Sequence, residues 1–312
     1  VADHGGVLTD EPQLPDGLAD RIDVLRGRAY DVAALPGGLT NKNLKVTTDE
    51  GAYVLRLSDE ASGALAIDRD HEYANSVIAA RSGVGAPVIQ RLPEAGVVVI
   101  GFLEGQTLAD GDFARPGVVE RVALAVRQLH QGEPFVNVFD MFEIQRRYLD
   151  LVTTRGYRLP GDYHAYAGQV GRIRDALATR AEPRVACNND LLAANFIDAG
   201  DRMFIIDYEY AGNNDPCFEL GNIWSECHLT DDQLETLVAT YYGRPFRNRV
   251  ARARLQGLMS QYGWTLWASI QDGQSDLDFD FWSWGMEKYE RAVATFNSAG
   301  FDDLLDEVQR PD

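Results

Sequence analysis

Near residue 103 the hydrophobic period of this sequence changes, and that change fixes the kind of fold available to it. Before that point apolar residues recur at every second position between turn signals; after it they recur at helical spacing. In YVLRL, Val54 and Arg56 share one face while Leu55 and Leu57 take the other, as a strand requires. TTDEGA turns the chain between two such strands, and PVIQRL, PEAG and VVVIGFL read as a further hairpin. One helical pattern is inserted, with Tyr73, Val77 and Ile78 on a stripe that ends at a glycine. LPDGLADRIDVLRG reads as a capped first helix.

Beyond GFLEGQTL, helical patterns cover 116–131, 140–154, 162–180, 230–243, 248–273 and 280–297. Thr230 and Gln233 form a capping box for the fourth of these. Strand signals return only at NFIDAGDRMFIID. The expected fold is therefore α+β in two lobes. Residues 1–103 form a small antiparallel sheet with one inserted helix and a hinge at its end, and residues 104–312 form a mainly helical lobe. Two domains suit a chain of 312 residues.

Charge narrows the partners. Asp plus Glu number 48 against 29 Lys plus Arg, a net −19, which disfavours nucleic acid and anionic lipid and attracts cations, besides serving solubility. No apolar run reaches the length of a membrane span, so no membrane insertion is expected. The start VADHGGVLTDEP has neither a basic end nor an apolar stretch and is not read as a signal peptide. Cys187, Cys217 and Cys227 form no CxxC pair; a reduced, cytoplasmic chain, monomeric or homodimeric and without zinc, is expected.

Three acidic or amide side chains carry the chemistry. Asp190 and Asn195 have the D-x-x-x-x-N spacing of a kinase catalytic loop, and Asp207 follows in the apolar stretch FIIDYEY. Any one alone reads as a turn cap or a strand end. Together, in this order around a short hairpin, they suit phosphoryl transfer. Asp190 accepts the substrate proton, and the oxygens of Asn195 and Asp207 hold Mg²⁺ against ATP. In the N-terminal lobe, PGGLTNKNLKV is a glycine-rich turn. Gly38 lets backbone approach a ligand, and Thr40 and Asn41 offer donors to phosphate, although a plain hairpin loop reads the same way. Arg56 with Glu72 suits a phosphate-holding pair, or else a surface ion pair. Trp264 and Trp267 lie three apart on one helix face, Trp282 and Trp284 follow on the next helix, and Glu219 and Glu226 lie seven apart on another. Rings and a carboxylate suit a cationic head, while tryptophans at this spacing also suit a core.

The sequence resembles the choline/ethanolamine kinases, within the wider aminoglycoside-phosphotransferase and protein-kinase-like group. The resemblance spans nearly the whole chain and rests on GGLTNKNLKV, YVLRL, HEYANSVIAARSGVGAPVI, CNNDLLAANFI, IIDYEYAGNNDPCFELGNIWSE and YGWTLWASIQ. It implies Asp190 as the catalytic base, Asn195 and Asp207 as magnesium ligands, and Glu209 beside the metals. It implies Arg56 and Glu72 as the phosphate pair, and backbone at 100–103, including Gly101 and Leu103, as the adenine hinge. It also implies Glu226 as the carboxylate nearest a cationic head, with Trp284 at an aromatic position of the pocket. The implied substrate is choline or a related amino alcohol. An aminoglycoside, or a catalytically impaired binding module, is the alternative. The family has His two places before the catalytic Asp; this sequence has Asn188.

Overall fold

The computed structural model describes residues 13–35, 41–58 and 67–311. By its internal contacts the chain forms two compact units, Val1–Ala66 with Ala86–Leu103, and Ile67–Gly85 with Glu104–Asp312.

The first unit is one five-stranded antiparallel sheet. Strands β1 (Asp31–Leu35), β2 (Asn41–Thr48), β3 (Gly51–Ser58), β4 (Val88–Leu92) and β5 (Val97–Gly101) lie in the order β1-β2-β3-β5-β4. The alternation read in the sequence sets its core: Leu44, Val46, Leu55, Val97 and Val99 are buried together. Arg56, one residue on from Leu55, pairs with Val98 across β5. The expected first helix is only a 3-10 turn, Ala19–Arg21, flanked by Gly17 and Gly27 at positive φ. Leu18, Ile22 and Leu25 still bury against the sheet, so the segment's apolar spacing serves packing without a continuous helix.

The second unit is mainly helical. It holds α1 (Arg69–Ser82), α2 (Val118–His130), α3 (Met141–Arg155), α4 (Ala167–Ala178), α5 (Pro216–Glu226), α6 (Asp231–Tyr242), α7 (Arg247–Gln274), α8 (Phe281–Phe296) and α9 (Gly300–Glu307). Helix α1 interrupts the first unit in sequence yet counts with the second. Asn75, fully buried on α1, donates to the Ala211 carbonyl at 2.9 Å and to Asn137 Oδ1 at 2.7 Å. The expected capping box opens α6: Thr230 Oγ1 accepts from the Gln233 amide, and Gln233 Oε1 accepts from the Thr230 amide.

Two small sheets lie among the helices. β6 (Gln106–Thr107), β8 (Phe196–Asp198) and β9 (Met203–Ile205) form one, with β8–β9 the hairpin read at NFIDAGDRMFIID. β7 (Val185–Cys187) and β10 (Gly212–Asn214) form the other. β6, β7 and β10 span only two or three residues, too few to show a period.

α7 is the hub. Nearly every residue from Ala251 to Gln271 is buried, and α5 crosses it closely. A Cβ at Gly221 would lie 2.0 Å from the Ala253 carbonyl oxygen, so glycine is required there. The crossing is locked by a buried ion pair. Arg252 donates from Nε to Asp215 Oδ2 at 2.6 Å, and Asp215 caps α5 through the Cys217 amide. α5 carries Glu219 and Glu226, and α7 carries Trp264 and Trp267. Among the described residues no helix is long and apolar enough to cross a membrane.

Candidate active site

Asparagines build the loop between β7 and β8. Asn188 Nδ2 donates to the carbonyl of Asp207 at 2.7 Å and to that of Ile206 at 3.2 Å, while its Oδ1 accepts the Asp190 amide at 3.1 Å. One side chain thus ties the Asp190 segment to the Asp207 segment. An imidazole could donate one of these bonds, but the amide makes both kinds without titrating. Asn189, at φ 71°, spends its Nδ2 on the carbonyls of Cys187, Tyr210 and Gly212. Asn222 Oδ1 takes the Leu191 amide at 2.7 Å. Asp207 stands two residues past the end of β9, at φ 64°, a left-handed conformation that non-glycine residues adopt at a cost and that gathers at functional sites. The sequence places it in a strand, but the ladder of β9 ends at Ile205 and the backbone has turned by Asp207.

The acids meet here. Asp190 is half-buried, and its carboxyl is pushed well above the usual range by burial first, then by the charges of Asp207, Glu226 and Glu209, with Lys288 opposing. Asn195 is buried, and its Nδ2 donates to the Asp190 carbonyl at 2.8 Å. Its amide oxygen is therefore the end left to face a cation. Asn195 and Asp207 offer hard oxygen donors of the kind Mg²⁺ takes, so the donor set fits that ion. Glu209 commits Oε1 to Arg69 Nη1 at 2.9 Å, and the same nitrogen reaches Glu72 Oε2 at 2.6 Å. Arg69, which the sequence reading passed over, thus bridges two of the expected site acids. Its place in RDHEY, three residues before Glu72 on α1, was the available signal.

A carboxyl whose folded-state pKa exceeds its unfolded value stabilises the fold when protonated, and that contribution is lost as pH rises through the folded value. Asp190 is such a group. Through Asp190 the protein therefore loses stability toward neutral pH, and a divalent cation held beside it would oppose this. Mg²⁺ is expected to raise the melting temperature by roughly 2–4 °C at pH 7.5, and by less at pH 5. Equal increments at both pH values would contradict the cluster.

Glu219 corrects an expectation. It was read as facing a cationic substrate with Glu226, but it is fully buried. Its Oε1 accepts the Asn188 amide at 2.9 Å and its Oε2 the Asn189 amide at 2.7 Å, so it holds the loop from beneath. The two glutamates share a helix side, yet α5 is buried around nearly its whole girth, and the side changes neighbours over two turns. His130, given no role from sequence, lies under the same loop. Its Nε2 is 3.6 Å from Glu219 Oε1 and 3.4 Å from Cys187 Sγ, and its Nδ1 meets Tyr241 Oη at 2.8 Å. Burial first, then Glu219, keeps the Cys187 thiol protonated, and both Glu219 oxygens are taken by amides. The trio is a hydrogen-bonded support and a poor metal site.

The aromatic residues form a chain. Trp264 packs on Phe139 and on Tyr210, at centroid distances of 6.4 and 4.8 Å. Trp267 donates from Nε1 to Tyr210 Oη at 2.8 Å and meets Trp284 edge-on at 5.5 Å. Tyr210 thus links both α7 indoles, which the sequence did not reveal. Trp282 stands apart under Arg158. A pocket of about 500 Å³ is lined by residues 108–110 and 192–194, Glu226, His228, Trp284, Glu287 and Lys288. Of the expected substrate residues it includes Glu226 and Trp284; Trp264 and Trp267 are buried and not part of its lining. Gly38 and Thr40 lie outside the described residues, and Asn41 is placed only as the first residue of β2. Arg56, Gly101 and Leu103 belong to the first unit, where β5 ends at Gly101.

Comparison with known proteins converges on one group. The sequence profile described as Choline/ethanolamine kinase matches residues 32–241. A solved choline/ethanolamine kinase family protein from Mesorhizobium loti superposes with a TM-score of 0.83 at 31% identity, covering 93% of this chain and 96% of that one. Protein LicA of Haemophilus influenzae is 28% identical over 78% of this chain and 75% of its own length. Ethanolamine kinase 2 of Rattus norvegicus is 24% identical over 81% and 73% respectively. At the level of fold alone the likeness extends to aminoglycoside phosphotransferases.

Proposed function

The chain belongs to the choline/ethanolamine kinase family, and on that premise we propose that it transfers the γ-phosphoryl group of ATP to the hydroxyl of choline or of an ethanolamine-type amino alcohol. Kinases of this family use ATP. The observation that carries the reading is the meeting of Asp190 with Asp207 and Glu209, on a loop that Asn188 ties to the Asp207 segment.

In this reading Asp190 receives the substrate's hydroxyl proton and aims that oxygen at the phosphorus. Asn195 and Asp207, with Glu209 beside them, would hold Mg²⁺, which would supply positive charge opposite the phosphates. Arg56 is assigned to the ATP phosphates with Glu72, as are Gly38, Thr40 and Asn41. The backbone of Gly101–Leu103 is assigned to the adenine. The amine is assigned to Glu226 and the indole of Trp284, with Trp267 packed on Trp284 and Trp264 behind. Relatives bear the names of both substrates, ethanolamine kinase among the sequences and choline kinase among the structures. The three cysteines are free and buried, which suits a reducing compartment, and the cytoplasm is the proposed location.

Trp267 gives the test. Trp267→Ala removes a ring that meets Trp284 and lets Tyr210 swing. It is expected to raise KM for the amine roughly tenfold and KM for ATP by less than about twofold. Equal movement of both constants would mean lost packing and no amine site there.

A further inference from the structure

The protein already supplies a cation to its own carboxylate and indole. Lys288 Nζ makes an ion pair with Glu226 Oε2 and lies 4.1 Å from the centroid of the Trp284 ring. These are the two kinds of group that hold a quaternary ammonium head, which has no N–H to donate. Lys288 is only 5% exposed and Glu226 7%, so the pair is desolvated, and separating it is costly. The other oxygen, Glu226 Oε1, is buried with no hydrogen-bond partner. A buried carboxylate oxygen without a donor is rare and calls for one.

Both residues line the pocket beside residues 192–194, which lie between Asp190 and Asn195. Asp110 and Glu287 also line it, so the pocket attracts a cation although Lys288 is present. A quaternary head finds the ring face and one oxygen already taken, and it cannot bond to the other oxygen. A head with at least one N–H can donate to Oε1 without displacing Lys288. We propose that Lys288 is a specificity-determining residue that selects amino alcohols bearing an N–H over quaternary ones. This deepens the kinase reading above and rests on it.

The experiment is steady-state kinetics of the full chain with ATP and Mg²⁺ on ethanolamine, N-methylethanolamine, N,N-dimethylethanolamine and choline. Protonated, these carry three, two, one and no N–H. Loss of the last donor should matter most, so kcat/KM should fall by roughly tenfold or more at the final methylation and by little before it. Lys288→Met removes the resident cation and should raise choline about tenfold relative to dimethylethanolamine. Lys288→Arg keeps the buried charge pair, and with it the fold. Its fork can take both carboxylate oxygens, so the step at the last methyl should shrink to below about threefold. Choline turned over as well as dimethylethanolamine by the unaltered protein would overturn the inference. So would a ratio unchanged in both variants. Turnover of none of the four would overturn the kinase reading, and this inference with it.

Discussion

Asp190→Ala is expected to lower kcat about a thousandfold while KM for ATP moves by less than about threefold. A positioned base contributes 10²–10⁴ to a rate, and Asp190 is the acid at the centre of the cluster. Its side chain supports little of the loop. The Asp190 backbone does that work, through its amide to Asn188 and its carbonyl to Asn195. Truncation therefore removes chemistry and leaves the scaffold. Melting temperature should hold or rise, because a carboxyl disfavoured by burial and like charges has gone. Asp190→Asn, which keeps the shape, should lose nearly as much rate. Turnover within a few-fold of the unaltered protein would remove Asp190 from the reaction.

Glu219→Ala should damage fold and rate together. It leaves the Asn188 and Asn189 amides buried without acceptors and takes the charge from beside His130. At roughly 1–3 kcal/mol for each buried orphan, plus a cavity, a loss of about 3–5 kcal/mol in a urea titration is expected. The loop it holds carries Asp190, so kcat should fall by at least about tenfold even where the variant is folded. Glu219→Gln keeps one acceptor and should cost about half as much stability. A Glu219→Ala variant with unaltered urea midpoint would contradict the buried role given to this residue.

The two kinds of periodicity were plain in the sequence because each ran long enough to be counted. Leu55 buried and Arg56 turned away from it on β3, and the Thr230–Gln233 box, follow directly from local pattern. β7 and β10 escaped because each is short and its partner lies far off in sequence, Cys187 opposite Gly212, whereas the equally short β8 and β9 adjoin each other as a hairpin. The first helix reduced to a 3-10 turn because the backbone becomes extended at Ile22, directly after Arg21, where local spacing predicts more helix. At the site, Asp190, Asn195 and Asp207 were legible as an ordered set. Glu219 was misplaced because helical spacing tells which residues share a side and not what lies against that side. Arg69, Tyr210, His130 and Lys288 were missed for a related reason. Each acts through a neighbour brought near by tertiary packing: Glu209 for Arg69, Trp267 for Tyr210, Glu219 for His130 and Glu226 for Lys288.

The most direct measurement is the identity of the phosphorylated product. The full chain is incubated with ATP, Mg²⁺ and an equimolar mixture of ethanolamine, its N-methylated forms, choline and kanamycin, and phosphorus NMR resolves the monoesters formed. The expected result is an O-phosphorylated amino alcohol that appears in step with ADP, with none formed by the Asp190→Ala variant. Phosphorylated kanamycin without any amino-alcohol ester, or an ester formed equally well without Asp190, would contradict the function assigned to these side chains.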